Sequence, residues 1–383
     1  MFSIVIPLYN KSQYIGKCIK TVLDQSYSDF EVIVVNDGST DDSLQIIQSF
    51  RVPKFQSSRV SEFQGSRVSG FQSEIRNAEN PTPDAPAYRQ AGSPKREGSL
   101  VSGFQSSRVS GFQSFRIINQ KNAGVSVARN IGVKEARFDH IAFLDADDWW
   151  DEHFLEEMKN LVEKYPDAGI WGCNYFYRKN GIDRIEEKGL DAGFNEGYIN
   201  YFKVYASSFC VPFNCSFVVV NKKAFNDTGG FDPQLKFGED FDLWVRIALK
   251  YKVAYLNKPL AYSNQDIAKN QRSLGNEKSL HPQEHVIFNL DYLDIDEKNN
   301  PELRKLLNGL RVRSLVPFYL NGDSAEKVNS ILSQIDLSLQ PLLYRFIYSW
   351  PKPLVIIVLK GKTIGSKIKQ IIRKKKLNLS KKH

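Results

Sequence analysis

Apolar positions in the first 50 residues follow two alternating patterns. Ser3 to Leu8 is a short apolar run closed by Pro7, Tyr9 and Asn10, which predicts a buried strand. Tyr14 to Leu23 sets Ile15, Cys18, Ile19 and Val22 at helical spacing. Phe30 to Val35 is a second strand-like run that breaks at Asn36-Asp37-Gly38-Ser39-Thr40, and Asp42 to Phe50 reads as a helix with acidic residues in its first turn. The alternation resumes with a strand at Phe115 to Asn119, a helix at Val125 to Ala136 and a strand at His140 to Leu144 that stops at Asp145-Ala146-Asp147-Asp148. Strands alternating with helices of this length predict a parallel sheet covered on both faces.

Between these two stretches the pattern is lost. An eight-residue unit, Phe-Gln-Ser-Ser-Arg-Val-Ser-Gly or a near copy, begins at Phe55, Phe63 and Phe104, decays at Phe71 and restarts at Phe112. One Phe and one Val per unit offer too little apolar surface to offset the entropy of ordering. Residues 52–114 are therefore expected to be a disordered, repeat-derived insertion, with a partner-presenting loop as the other reading. It joins a helix to a strand, so it should leave the sheet on the rim away from the ligand-binding edge.

Downstream, a helix is expected from His153 to Tyr165, strands at Gly169 to Tyr177, Ser216 to Val220, Val253 to Leu256 and Ala261-Tyr262, and a helix at Leu243 to Leu249 with an acidic start. Helices then dominate, at Val286 to Leu293, Glu302 to Phe318 and Ala325 to Ile335. The expected organisation is one α/β domain over 1–51 and 115–285, and a helical C-terminal region over 286–383.

The 383 residues are 42% apolar and 25% charged, an ordinary globular composition. The net charge of +9 is concentrated in the tail. From Arg345 onward there are 12 basic residues and no acidic one, leaving 40 basic against 43 acidic groups elsewhere. A nucleic-acid partner is therefore not expected. The opening residues read as a core strand and not an export signal, and Pro353 to Leu359 falls short of the roughly 20 apolar residues that span a bilayer. Cys18, Cys173, Cys210 and Cys215 form no CxxC pair and are expected as reduced thiols. His281 and His285 share a helical spacing, yet Pro282 and the lack of a third ligand favour a helix start over a metal site.

Acidic groups supply the candidate chemistry. Asp37, the Asp145/Asp147/Asp148 group and the Glu239/Asp240/Asp242 group fall after predicted strands or at a helix start. Carboxylates at the carboxyl ends of parallel strands can share a hard cation with a substrate phosphate, although turns also favour Asp for their own sake. Trp149 and Trp150 either shield such a site or belong to the core. Neither GxxxxGK[ST] nor a GxGxxG after the first strand is present, which excludes P-loop and dinucleotide-binding readings on motif grounds.

Four segments in order carry a resemblance: SIVIPLYNKSQYIGKCIKTVLDQSYSDFEVIVVNDGSTDDS from Ser3, NQKNAGVSVARNIGVKEA, FLDADDWW and GGFDPQLKFGEDFDLWVRIA. Over about residues 1–51 and 115–262 the chain is similar to the inverting family 2 glycosyltransferases. The resemblance implies a GT-A fold, a Rossmann-like mixed and mainly parallel sheet with helices on both faces. It also implies a nucleotide-sugar donor, with uracil the commonest base, and a Mn2+ or Mg2+ cofactor. By the same resemblance Pro7, Tyr9 and Asn10 line the nucleoside pocket, Asp37 holds the base or ribose with Ser39 assisting, and Asn122, Gly124 and Arg129 flank the nucleotide. Asp145 and Asp147 match the metal-binding DxD, with Ala146 between them on the donor side. Asp240 matches the general base, and Glu239 is the competing candidate.

The chain lacks the Gln-x-x-Arg-Trp segment and the membrane spans of processive members, Gln271-Arg272-Ser273-Leu274 having no tryptophan, so transfer of single sugars is expected. The expected acceptor is a surface polysaccharide or lipid-linked glycan. Aromatic residues from Tyr344 to Trp350 and the Arg373 to Lys376 cluster point to an anionic membrane surface or to a solvated basic terminus, for a cytoplasmic protein peripheral to the inner face of the plasma membrane. Two other classes fit the residues less well. A catalytically inactive binding protein would not need Asp37, Asp145, Asp147 and Asp240 together. A nucleotidyltransferase would carry a glycine-rich basic loop after its first strand, for which Lys11 alone is a poor substitute.

Overall fold

The computed structural model describes residues 1–50, 114–267 and 281–359. The expectations for the repeat segment, for Gln271–Leu274 and for the basic cluster at 373–376 lie outside the described residues. The amino-terminal half folds as β1 (Phe2–Leu8), α1 (Ile15–Leu23), β2 (Phe30–Asp37), α2 (Ser43–Ser49), β3 (Ser114–Gln120), α3 (Val125–Glu135) and β4 (His140–Phe143). Next come β5 (Trp149–Trp150), α4 (Phe154–Lys164), β6 (Ala168–Lys179), β7 (Ile182–Ile185), β8 (Glu196–Ile199) and α5 (Tyr201–Ser208). The sheet is completed by β9 (Val218–Asn221), α6 (Lys222–Asp227), α7 (Glu239–Lys250) and β10 (Lys252–Asn264).

The sheet runs β3-β2-β1-β4-β9-β6-β10-β5, with β7 beside β6 and β8 beside β10. Its long ladders are parallel, β1 with β2 and β4, β2 with β3, and β6 with β10. The antiparallel pairings are short. This is the expected mixed, mainly parallel sheet. Every residue of β1 and β2 is buried, which is why both read as unbroken apolar runs rather than alternating ones. Right-handed crossovers put α1 and α2 on one face, and α3 on the other as it returns from β3 past β1 to β4. The strand order reverses between the parallel neighbours β1 and β4, so the crevice beyond their carboxyl ends is the place for a ligand.

At the opposite rim, Ser114 enters β3 beside buried Glu31, its Oγ 3.3 Å from Oε2. The same carboxylate accepts from Arg116 at 2.9 Å and from the Arg137 N–H at 2.7 Å. Ser114, the first residue of β3, therefore sits at the rim of the sheet away from Asp37, which pairs with Gln120 at the other end of the strand.

Several boundaries differ from expectation for identifiable reasons. The two short closing strands are one strand, β10, with register shifts between Leu256 and Pro259 and between Pro259 and Tyr262, because Pro259 lacks the N–H that a regular ladder needs. Residues 286–293 form two 3-10 turns rather than a helix, since the segment follows the 232–238 loop instead of closing on itself. The expected helix from Glu302 to Phe318 is split into α9 (Pro301–Ser314) and α10 (Val316–Asn321), with Pro317 in the first turn of the second. Between them and the last strand lies α8 (Asp294–Asn299); α11 (Ala325–Ser333), α12 (Leu342–Ser349) and a helical stretch at 352–359 complete the C-terminal region. In α2 the acidic residues precede the first turn, and Asp41 accepts from the Ser43 N–H instead.

Candidate active site

All three acidic groups and the β1 loop converge on the carboxyl edge of the sheet. After β1 the chain turns sharply. Asn10 takes a left-handed conformation (φ 50°), donating its N–H to Ser39 Oγ at 3.1 Å and accepting from the Thr40 N–H at 2.8 Å through Oδ1. Tyr9 projects from this turn, 46% exposed. Pro7 lies inside β1 and is buried, beyond the last β4 pair at Val5–Phe143.

Asp37 ends β2, 3% exposed, and Gly38 follows at φ 73° with a Cβ position only 2.9 Å from the Asn122 backbone N, so this turn requires glycine. The Asp37 carboxylate accepts from the Ala123 N–H (2.8 Å), the Gly124 N–H (2.9 Å) and Gln120 Nε2 (2.7 Å). It thereby ties the start of α3 to β2. Asn122, Ala123 and Gly124 remain exposed above it.

Arg129 sits on the second turn of α3, 3% exposed. Its Nη2 donates to Asp145 Oδ1 at 2.7 Å and its Nη1 to Glu239 Oε1 at 3.0 Å. One guanidinium thus joins the end of β4 to the start of α7, and its buried Nε has no hydrogen-bond partner. Burial alone would lower the Arg129 pKa, but the carboxylates around it, Asp145 foremost, hold it above the usual arginine value.

Beyond β4, Ala146 is buried and Asp147 meets Lys11, Nζ to Oδ2 at 2.5 Å. Burial pushes the Asp147 carboxyl up, Lys11 pulls it down and Asp145 adds to the rise, with a net upward direction. Asp148 turns inward, accepting from Ser216 Oγ at 2.7 Å and the Asn264 N–H at 2.9 Å. Burial, then Asp147 and Asp145, raise its pKa well above the carboxylate range. Trp149 and Trp150 are core: the first stacks on Tyr262 and the second on Phe154, with its Nε1 donating to the Ser216 carbonyl at 2.7 Å.

The third acidic group opens α7. Gly238 (φ 78°) has a Cβ position 2.3 Å from Val286, so the loop before α7 can lie against the 286–288 turn only with glycine there. Phe237 holds this contact from both sides, its N–H donating to Glu284 and its carbonyl accepting from the Val286 N–H. Asp240 Oδ1 accepts from the Phe241 N–H at 2.7 Å. Burial and then the Glu239 carboxylate push the Asp240 carboxyl up to about 7. Asp242 has a structural part, paired with Arg246 and accepting from the Tyr292 hydroxyl at 2.6 Å.

Sequence reasoning missed two members of this group. Ser216 donates to Asp148 and accepts from the Asp145 N–H at 3.1 Å, tying the turn before β9 to the acidic turn. Lys11 is the cation nearest Asp147, and its place one residue after Asn10, at the end of a central strand, was the available signal. Neither Asp145 nor Asp147 uses its second oxygen in these ion pairs, and hard cations take carboxylate and phosphate oxygens together. The donor set fits Mn2+ or Mg2+ completed by a diphosphate, although no group of three side chains among the described residues is arranged for a metal by itself. The histidines form no such site: His281 accepts from the Gln283 N–H, and buried His285 accepts from the Ile287 N–H and lies 4.4 Å from the Phe237 ring. No disulfide forms among the described cysteines.

Residues 3–75 match the family described as Glycosyl transferase family 2, and residues 89–274 match Glycosyltransferase like family 2. Glycosyltransferase GlyA of Streptococcus pneumoniae serotype 4 is 24% identical over 67% of this chain and 30% of its own length. Chondroitin synthase of Escherichia coli is 25% identical over 67% of this chain and 28% of its own length. The chain thus spans less than a third of these two relatives. Among solved structures, S. aureus TarS 1-349 in complex with UDP-GlcNAc superposes with a TM-score of 0.59 at 15% identity, covering 95% of this chain and 92% of that one. That likeness is one of fold.

Proposed function

Given that the chain belongs to glycosyltransferase family 2, we propose that it transfers a single sugar from a uridine-diphosphate sugar to an acceptor hydroxyl, with inversion at the sugar carbon. The acceptor is a surface polysaccharide or a lipid-linked glycan, met on the cytoplasmic side by a protein peripheral to the inner face of the plasma membrane. One observation carries the reading. Arg129 joins Asp145 to Glu239 and leaves Asp240 beside them with a carboxyl pushed up to about 7.

In this reading the strand-end side binds the donor. Tyr9 offers an exposed ring, Asn10 and Ser39 shape the turn beneath it, and Asp37 fixes the exposed Asn122–Gly124 segment against the nucleotide. Asp145 and Asp147 would hold a divalent ion, which when bound would supply countercharge to the departing diphosphate. Arg129 keeps Asp145 oriented, and Lys11 is close enough to the same oxygens to add positive charge.

The helix-start side moves the proton. As the acceptor oxygen bonds to the sugar carbon and the sugar–phosphate bond breaks on the opposite side, the hydroxyl proton passes to Asp240 Oδ2, since Oδ1 is engaged by the Phe241 N–H. A carboxyl near 7 is matched to that task at neutral pH, whereas Glu239 is tied to Arg129. A single displacement inverts the carbon.

The reading is tested by UDP release from a panel of UDP-sugars with Mn2+ and glycan acceptors. Turnover by the wild type, abolished in Asp147→Ala and Asp240→Ala proteins that melt cooperatively, is expected. Equal turnover in either variant would overturn it.

A further inference from the structure

Half of the large apolar side chains exposed among the described residues fall between positions 339 and 358. On α12, Leu342 and Leu343 are exposed, and Phe346 and Trp350 continue the same flank with rings 5.2 Å apart. In the 352–359 stretch Leu354, Ile357 and Val358 repeat that spacing outward. The inner sides are already used: Ile347 and Val355 are buried, the Tyr348 hydroxyl donates to the Val312 carbonyl at 2.8 Å, and Lys352 lies over the Tyr319 ring at 4.6 Å. Two consecutive helices thus bury one apolar side in the protein and expose another. Exposed apolar faces of this kind mark a partner or a membrane, and among the described residues no helix is long and apolar enough to cross one.

Charge selects the partner. No Asp or Glu follows Asp336, and residues 360–383 carry ten Lys or Arg. Two copies meeting through this face would bring their basic segments together, which repels. An anionic lipid surface accepts both the exposed apolar residues and the basic residues that follow them in sequence. We propose that the outer face of α12 and of the 352–359 stretch lies in the headgroup region of an anionic bilayer, with Leu342, Leu343, Trp350, Leu354, Ile357 and Val358 inserted. This inference rests on the membrane association in the proposed function and assigns it to a surface separate from the sugar-transfer site.

The experiment is flotation of the full chain with vesicles of phosphatidylglycerol and phosphatidylcholine, or of phosphatidylcholine alone, for the wild type and the double variant L354E/I357E. Both positions are exposed, so the variant should melt like the wild type. The wild type should float with the anionic vesicles only. The variant should partition about tenfold less or weaker still, with withdrawal of two large apolar side chains as the cause, and its UDP release on a water-soluble acceptor should be unchanged. A wild type that never floats refutes membrane association itself. A variant that floats equally well assigns the binding to the basic segment and overturns this face. A wild-type dimer that the variant dissolves, seen by light scattering, also overturns it and gives the face to a second copy.

Discussion

The strand-end and helix-start sides of the site use the same residue types under opposite conditions. At the strand ends Asp37 is surrounded by three N–H donors, and Asp145 and Asp147 each face a cation. At the start of α7 Glu239 pairs with Arg129 and Asp242 with Arg246, whereas Asp240 between them receives a single N–H and a like-charged neighbour. Carboxylates engaged by donors and cations are fixed in place, which suits holding a ligand. A carboxylate denied them wants a proton, which suits taking one. Arg129 keeps the two sides in register while serving only one member of the acidic pair.

The largest effect that could break this contrast is at Asp240. Asp240→Asn should reduce kcat/KM about a thousandfold, as for loss of a general base, and should raise the melting temperature of the free protein. The sign follows from linkage. A carboxyl held near 7 in the folded state, against 3.8 as the ordinary value, contributes stability below pH 3.8 that is lost as pH rises through 7. The rate runs the other way: kcat/KM of the wild type should climb with pH and level above about 7, and the Asn variant should lack that limb.

Next comes Arg129→Met, which leaves Asp145 and Glu239 without their buried cation. It should cost about 3–5 kcal/mol in urea unfolding, and Arg129→Lys should recover little because one ammonium cannot span both carboxylates. His285 probes the clamp on the loop before α7. Burial pushes its pKa down to about 4 from 6.5, so its stabilising contribution is complete above pH 6.5 and is lost as pH falls toward 4. That loss should be about 3 kcal/mol, absent in His285→Gln, with Trp fluorescence as the readout.

These predictions rest unevenly on what was readable in the sequence. The strand ends were legible because β1, β2 and β4 are buried runs that stop at polar turns, and the acidic groups sit where those runs stop. The pairings were not. Arg129 and Glu239 are 110 residues apart, and only the return of α7 against the β4 end brings them to 3.0 Å. Lys11 and Asp147 meet across 136 positions because β1 and β4 are neighbours in the sheet. Nor could hydropathy distinguish the buried Ile347 from the exposed Leu343, since which side of α12 faces α9 is decided by packing.

Two smaller effects sharpen the donor side. Asp37→Asn would set an amide N–H2 against the Ala123 or Gly124 N–H, costing about 1–3 kcal/mol and weakening UDP binding without a pH shift in rate. Lys11→Met should tighten Mn2+ binding about tenfold in calorimetry without UDP, because metal and ammonium compete for Asp147.

The most direct test of the division between the two sides is a calorimetric titration of UDP, with Mn2+ present, into the wild type, Asp147→Asn and Asp240→Asn. The account predicts that Asp240→Asn binds UDP within about threefold of the wild type and that Asp147→Asn loses about tenfold or more. Loss of UDP binding in Asp240→Asn with full retention in Asp147→Asn would contradict it.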